Sequence, residues 1–131
     1  MQDHRRLDVW MRAHAAALSV DAVTRRFPRR GYGWLATQAR RSSASVATNI
    51  VEGCGQGTGP AFARFLQDAL ASAGETAQHL EHGLGVGVIA RDDARRLSEE
   101  YRQLQKMLVA LIHKVRTGFR PGRRPSGDTD H

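Results

Sequence analysis

The sequence predicts an all-α fold, an antiparallel up-down-up-down four-helix bundle over residues 1–116, and three observations lead there. Apolar residues recur at alternating spacings of four and three through four separate segments, short runs rich in glycine, proline or aspartate divide those segments, and no segment needs the period-two alternation of a strand. A chain of 131 residues is one domain's worth of material and can bury a core without disulfides or metal. The single cysteine, Cys54, has no partner for an internal bridge. Charged residues interrupt every apolar run well short of the ~20 residues a membrane span requires, so the expectation is a cytoplasmic protein with no membrane segment.

The first helix is expected from Leu7 to Phe27, where Val9, Ala13, Ala16, Val20, Val23 and Phe27 stack on one face and Pro28 stops the helix. Trp10 and Ala17 widen that stripe enough for contact with two neighbours. After a turn at Arg30-Gly31-Tyr32-Gly33, the second helix should run from about Trp34 to Glu52. Its inward series, Leu35, Ala39, Ser42 or Ser43, Val46 and Ile50, consists largely of small residues and allows close approach of a neighbour.

The third helix should start at Pro60, a good first helical residue, and carry Phe62, Leu66, Ala69, Ala73, Ala77, Leu80 and Leu84 before Gly83, Gly85 and Gly87 end it. Asp92 or Asp93 is the expected cap of the fourth. There Leu97, Tyr101, Leu104, Leu108, Leu111 and Val115 form an unbroken coiled-coil-like repeat. Residues 117–131, TGFRPGRRPSGDTDH, have almost no apolar content and read as a disordered basic tail.

The glycines of SVATNIVEGCGQGTGP, at Gly53, Gly55, Gly57 and Gly59, invite comparison with a phosphate-binding loop. The spacing of a dinucleotide fingerprint fails, since Thr58 stands where the third glycine belongs and a helix precedes the loop. A P-loop lysine is missing, because no lysine occurs before Lys106. Gly53, directly after Val51-Glu52, instead reads as the left-handed residue that closes a helix.

The net charge is +7, and 18 of the 20 basic residues are arginine, the exceptions being Lys106 and Lys114. Arginine's planar fork suits phosphate and carboxylate. From Ala22 to Val51 stand Arg25, Arg26, Arg29, Arg30, Arg40 and Arg41 without a single acid, whereas from Phe65 to Ala90 the only charges are Asp68, Glu75 and Glu81. Such segregation steers an anionic partner to one region or pairs one subunit against another. The six arginines are the candidate nucleic-acid contacts, and Asn49, Glu52 and Gly53 are candidate structural positions.

Glu75, His79 and His82 share four-three helical spacing and are the one set that metal-dependent enzymology could use. The paired-helix carboxylate sites use Glu-x-x-His, which this chain lacks, and Cys54 has no nearby histidine to activate it. No catalytic residue, metal or cofactor is therefore expected. A protein-interaction scaffold is the alternative to nucleic-acid binding, and a metal-dependent enzyme the more distant one.

The segments Leu7-Asp8-Val9-Trp10, Tyr32-Gly33, Gln38-Ala39-Arg40-Arg41, Ser45 to Gly53, Phe62, Phe65-Leu66 and Ser72-x-x-Glu75 together resemble the four-helix bundle proteins encoded in intervening sequences of bacterial 23S ribosomal RNA genes. The resemblance covers about Leu7 to Val115. It implies an antiparallel bundle assembled as a homopentameric ring, without established catalytic residues. It also implies kinship with the accessory protein of diversity-generating retroelements, which associates with a reverse transcriptase and nucleic acid. Ala47 stands where that family has proline, which implies a straighter second helix. Gln56 and Ala61 replace its arginine and glutamate around the glycine loop, so an ion pair there is not expected.

Overall fold

The computed structural model describes residues 3–118; the expected tail, beyond its first two residues, lies outside the described residues. A short 3-10 turn, His4–Arg6, leads into four helices: α1 (Asp8–Thr24), α2 (Arg29–Cys54), α3 (Gly59–Gly85) and α4 (Arg91–Arg116). Among the described residues there is no strand. Each helix packs on two others, α1 on α2 and α4, and α3 on α2 and α4, while the diagonal pairs stay apart. This is the connectivity of a four-helix bundle around one core.

The first stripe is buried throughout, Phe27 included, although α1 itself ends at Thr24 and Phe27 sits in the tight turn that follows. Pro28 then caps α2. Arg30 is extended (φ −75°, ψ 117°) and Gly31 left-handed (φ 90°), so the regular part of α2 begins only after Gly31. The turn read in the sequence is thus a break inside the first residues of α2. Gly31 is there because φ near +90° is strained for any side chain.

Two interfaces can be followed residue by residue. Ser42 meets Thr76, Ser45 meets Ser72, and Gly53 meets Phe62 and Phe65, so α2 and α3 run in opposite directions. Gly59 meets Val115, Gly74 meets Gln105 and Gly83 meets Ile89, which reverses the chain again from α3 to α4. The middle of the α2–α3 seam carries small hydroxyl residues, while Phe62 and Phe65 meet Gly53 at one end. The Thr76 hydroxyl donates to Ser42 Oγ (2.7 Å), with the Ser72 carbonyl also at 2.9 Å, and the Ser45 and Ser72 hydroxyls bond at 2.9 Å. Buried hydroxyls matched in this way avoid the desolvation cost of an unpaired group.

Several expectations require correction. Gly53 does not cap α2: it lies inside the helix, buried, with no positive φ. A Cβ there would fall 2.9 Å from Phe62 Cδ1 and 3.1 Å from Phe65 Cβ, so glycine is required for the close approach of α3. Asp92 and Asp93 do not cap α4; the extended Ala90 occupies that position, and the two acids sit in the first turn, where they favour the positive helix end. On α3 Phe62, Leu66, Ala69, Ala73 and Leu80 are buried as expected, but Ala63, Thr76 and Gly83 join them, while Ala77 is half-buried and Leu84 exposed. On α4 Ile112 is buried, while Leu111 is only partly so. Thr58 does cap α3, its hydroxyl accepting from Ala61 N (3.3 Å), with Pro60 in the first turn.

Among the described residues Tyr101 is the largest fully buried side chain, and its hydroxyl has no hydrogen-bond partner there; the nearby Ser43 hydroxyl is donated to the Arg40 carbonyl (3.1 Å). Burial raises the phenol's pKa well above its ordinary value of 10.0, against a smaller opposing effect of the Ser43 side chain. A folded pKa above the unfolded one means that stability is full below pH 10 and falls as pH rises beyond the unfolded value. Tyr101→Phe is expected to leave neutral-pH stability unchanged or raise it by about 1 kcal/mol, and to blunt the loss in alkali. Thermal melts at both pH values check this; clear destabilisation at neutral pH would show that the hydroxyl is bonded after all.

Candidate nucleic-acid interface

The end of α1, the break in α2 and the α3–α4 turn converge on one end of the molecule. Phe27 packs against Gly83, and Arg26 reaches Asp93 across 67 residues of sequence. The topology therefore gathers Arg25, Arg26, Arg29 and Arg30 at one corner and adds Arg91, the first residue of α4, which the local charge pattern did not single out. The signal that could have found Arg91 is its place just after the Gly83 to Gly87 turn, which a bundle must return to the α1–α2 end.

The six expected arginines fall into two sets. Arg26 bonds Asp93 (3.0 Å), Arg25 lies 3.5 Å from Asp21, and Arg40 lies 3.5 Å from the same Asp21 while donating through Nε to Thr24 Oγ1 (2.9 Å). These pairs are at least partly exposed and contribute little to stability, but they carry their own countercharge. Arg29, Arg30 and Arg41 are exposed and have no acidic partner among the described residues. The consecutive Arg40 and Arg41 thus divide as helical geometry requires, one bonded to α1 and the other facing outward.

Trp34 stands on the same stretch of α2 with 52% of its surface exposed, and the ring of His82 from α3 meets it edge-on at 5.4 Å. That contact takes His82 away from Glu75 and His79, which face each other at 3.7 Å. Glu75, His79 and His82 are therefore not brought together, and among the described residues no three His, Cys, Asp or Glu side chains are placed to hold a metal. Asn49 is half-buried and donates to the Ser45 carbonyl (2.9 Å) and Ser45 Oγ (3.1 Å), extending the hydroxyl ladder of the α2–α3 seam. Glu52 is exposed, and its carbonyl accepts from Gln56 Nε2 (3.1 Å).

The apolar stripe of α1 is consumed within the chain, and Trp10 is half-buried between His14, stacked at 5.0 Å, and His4, edge-on at 4.9 Å. The largest apolar exposure falls instead on Leu18 (58%) of α1 and Val109 (55%) of α4, with Met11 and Trp34 next. Among the described residues no helix is long and apolar enough to cross a membrane.

Comparison with known proteins agrees with this architecture. Among curated proteins none matches the chain. A crystal structure of a protein of unknown function from the S23 ribosomal protein family, from Bacteroides thetaiotaomicron, superposes with a TM-score of 0.73 at 23% identity, covering 79% of this chain and 97% of that one. At that identity the likeness speaks for the fold. The family model described as 23S rRNA-intervening sequence protein matches residues 5–110, which takes in all of α1, α2 and α3 and most of α4. The chain belongs to the 23S rRNA-intervening sequence protein family.

Proposed function

We propose that the protein is a non-enzymatic, homo-oligomeric helical bundle that binds RNA or DNA through its arginine corner, as an accessory to ribosomal RNA or to a nucleic-acid-handling enzyme such as a reverse transcriptase. The observation that carries this reading is the exposure of Arg29, Arg30 and Arg41 without acidic partners among the described residues, beside Arg25 and Arg26. Unneutralised guanidinium groups at that end and along α2 as far as Arg41 attract a polyanion, and each phosphate contact gains by releasing a condensed counterion. Among the described residues the functional reading rests on these cations and not on a convergent acid, base and nucleophile. The family suggests a pentameric ring, which would repeat the corner and turn weak single sites into avidity. A cytoplasmic location suits such partners.

A protein-interaction scaffold is the second reading, favoured by the exposed Leu18 and Val109. The test is a titration of labelled single-stranded RNA and DNA with the full chain at increasing salt, alongside light scattering. The logarithm of affinity should fall linearly with the logarithm of salt, by about 0.7 per contacted phosphate. The scattering mass should be a multiple of the 14.5 kDa chain. Absence of binding to either nucleic acid at low salt, with the oligomer intact, would leave the scaffold reading.

A further inference from the structure

The exposed indole of Trp34 is the least explained feature of the corner. A tryptophan contributes most when buried, yet this one keeps about half its surface in water at the start of the regular part of α2. Among the described residues its ring contact is with His82 of α3, edge-on at 5.4 Å, and about half of the indole surface stays open. Arg41 lies seven residues on, two helical turns along the same face and about 10 Å away along the axis. Arg30 lies four residues before it, across the extended and left-handed pair Arg30-Gly31. An exposed arginine thus stands before and after the indole along the chain, neither with an acidic partner among the described residues. Glu75 and Glu81 stand on the facing α3, the second next to His82, and neither lies within ion-pair distance of Arg30 or Arg41.

We infer that Trp34, braced by His82, is a base-stacking platform, and that Arg30 and Arg41 hold the phosphates on either side of the stacked nucleotide, so that the corner selects single-stranded over double-stranded nucleic acid. The selectivity follows from access. In a duplex both faces of each base are already stacked, and a convex helix corner cannot reach them, whereas an unpaired base can lay its face on an exposed ring. Arginines without acid partners supply the attraction shared by both forms; the indole supplies the part that only a single strand can use. His82 matters because a platform held at one angle loses less freedom on binding than a mobile side chain.

This inference rests on the nucleic-acid reading above, and its test separates the two. Affinities of the full-length parent, Trp34→Ala and Trp34→Phe are measured by anisotropy for a labelled single-stranded oligonucleotide and for a duplex of equal length, across salt, with light scattering on each protein. Trp34→Ala should weaken single-strand binding about tenfold, the range found for one stacked base. It should leave duplex affinity and the slope of both salt plots unchanged, because stacking releases no counterions. Trp34→Phe should restore most of the loss, since it keeps a π-face. Equal weakening for single strand and duplex, no weakening at all, or a changed oligomeric mass in Trp34→Ala would overturn the stacking role while leaving the electrostatic reading in place. A parent that binds neither nucleic acid would remove both.

Discussion

Truncating Phe62 to alanine is expected to cost about 3–5 kcal/mol, the range for emptying an aromatic site in a packed core. Phe62 is fully buried on α3, and its ring lies against Gly53 of α2. The same contact makes Gly53→Ala informative, because two effects of opposite sign meet there. Alanine gains about 1 kcal/mol in a helix interior over glycine. The added Cβ, however, would stand 2.9 Å from Phe62 Cδ1 and 3.1 Å from Phe65 Cβ, and crowding of a closed core costs about 1–3 kcal/mol. With Phe62 present, crowding should prevail and the variant should be destabilised. In a Phe62→Leu background the ring atoms are gone and only Phe65 Cβ at 3.1 Å still crowds the new methyl, so Gly53→Ala should cost distinctly less than in the parent. Urea unfolding of the four chains at one fixed protein concentration reads the coupling. Equal destabilisation by Gly53→Ala in both backgrounds would show that Gly53 is needed for some reason other than Phe62.

The same pair of residues shows how far the sequence can be read. Helical periodicity located four helices and most of their buried series, because the requirement that apolar residues share a face is local and leaves a visible trace. Glycine is ambiguous in that reading, since the absent side chain serves both a left-handed turn and a close approach. Gly31 takes the first use and Gly53 the second. Gly53 stood where a cap would stand, and only the position of Phe62 on another helix decides the matter. Thr76 and Gly83 escape the apolar series of α3 for a similar reason. A threonine and a glycine do not register as apolar, yet Thr76 is buried against Ser42 of α2 and Gly83 against Ile89 and Phe27.

The site was legible in its composition and not in its pairing. A window from Ala22 to Val51 contains no acid, yet Asp21 stands one residue outside it and meets both Arg25 and Arg40. Asp93 arrives from another helix to meet Arg26. Linear charge patterning sees neither, because neutralisation in a bundle is decided by which ends the topology brings together. The same blindness hid Arg91 and the contact of His82 with Trp34, both placed at the corner by the α3–α4 turn. Spacing alone groups His82 with Glu75 and His79, and spacing cannot show that a neighbouring helix offers His82 another partner.

That division of the arginines leads to the second large effect expected. A variant replacing Arg29, Arg30 and Arg41 by glutamine should weaken binding to a single strand about a hundredfold at 0.1 M salt, which is what three lost phosphate contacts at about 0.7 each in slope amount to over one decade of salt. The slope itself should fall by about 2. A matched variant replacing Arg25, Arg26 and Arg40 should lose distinctly less. Those three already face Asp21 or Asp93, so a phosphate must displace or share an existing countercharge and each contributes less to binding than an unpaired arginine; the acid left behind adds some repulsion of its own, but at these exposed positions salt screens it. Stability should change little in the first variant, whose side chains are exposed. In the second it should fall slightly, because Arg40 also bonds Thr24 at 2.9 Å. Anisotropy titrations across salt, with melting curves and scattering mass for each chain, measure all of these. If the two variants weakened binding equally, acid pairing would not grade the corner's contacts; if the first variant lost its assembly while the parent's nucleic-acid affinity survived in it, Arg29, Arg30 and Arg41 would belong to a subunit interface instead.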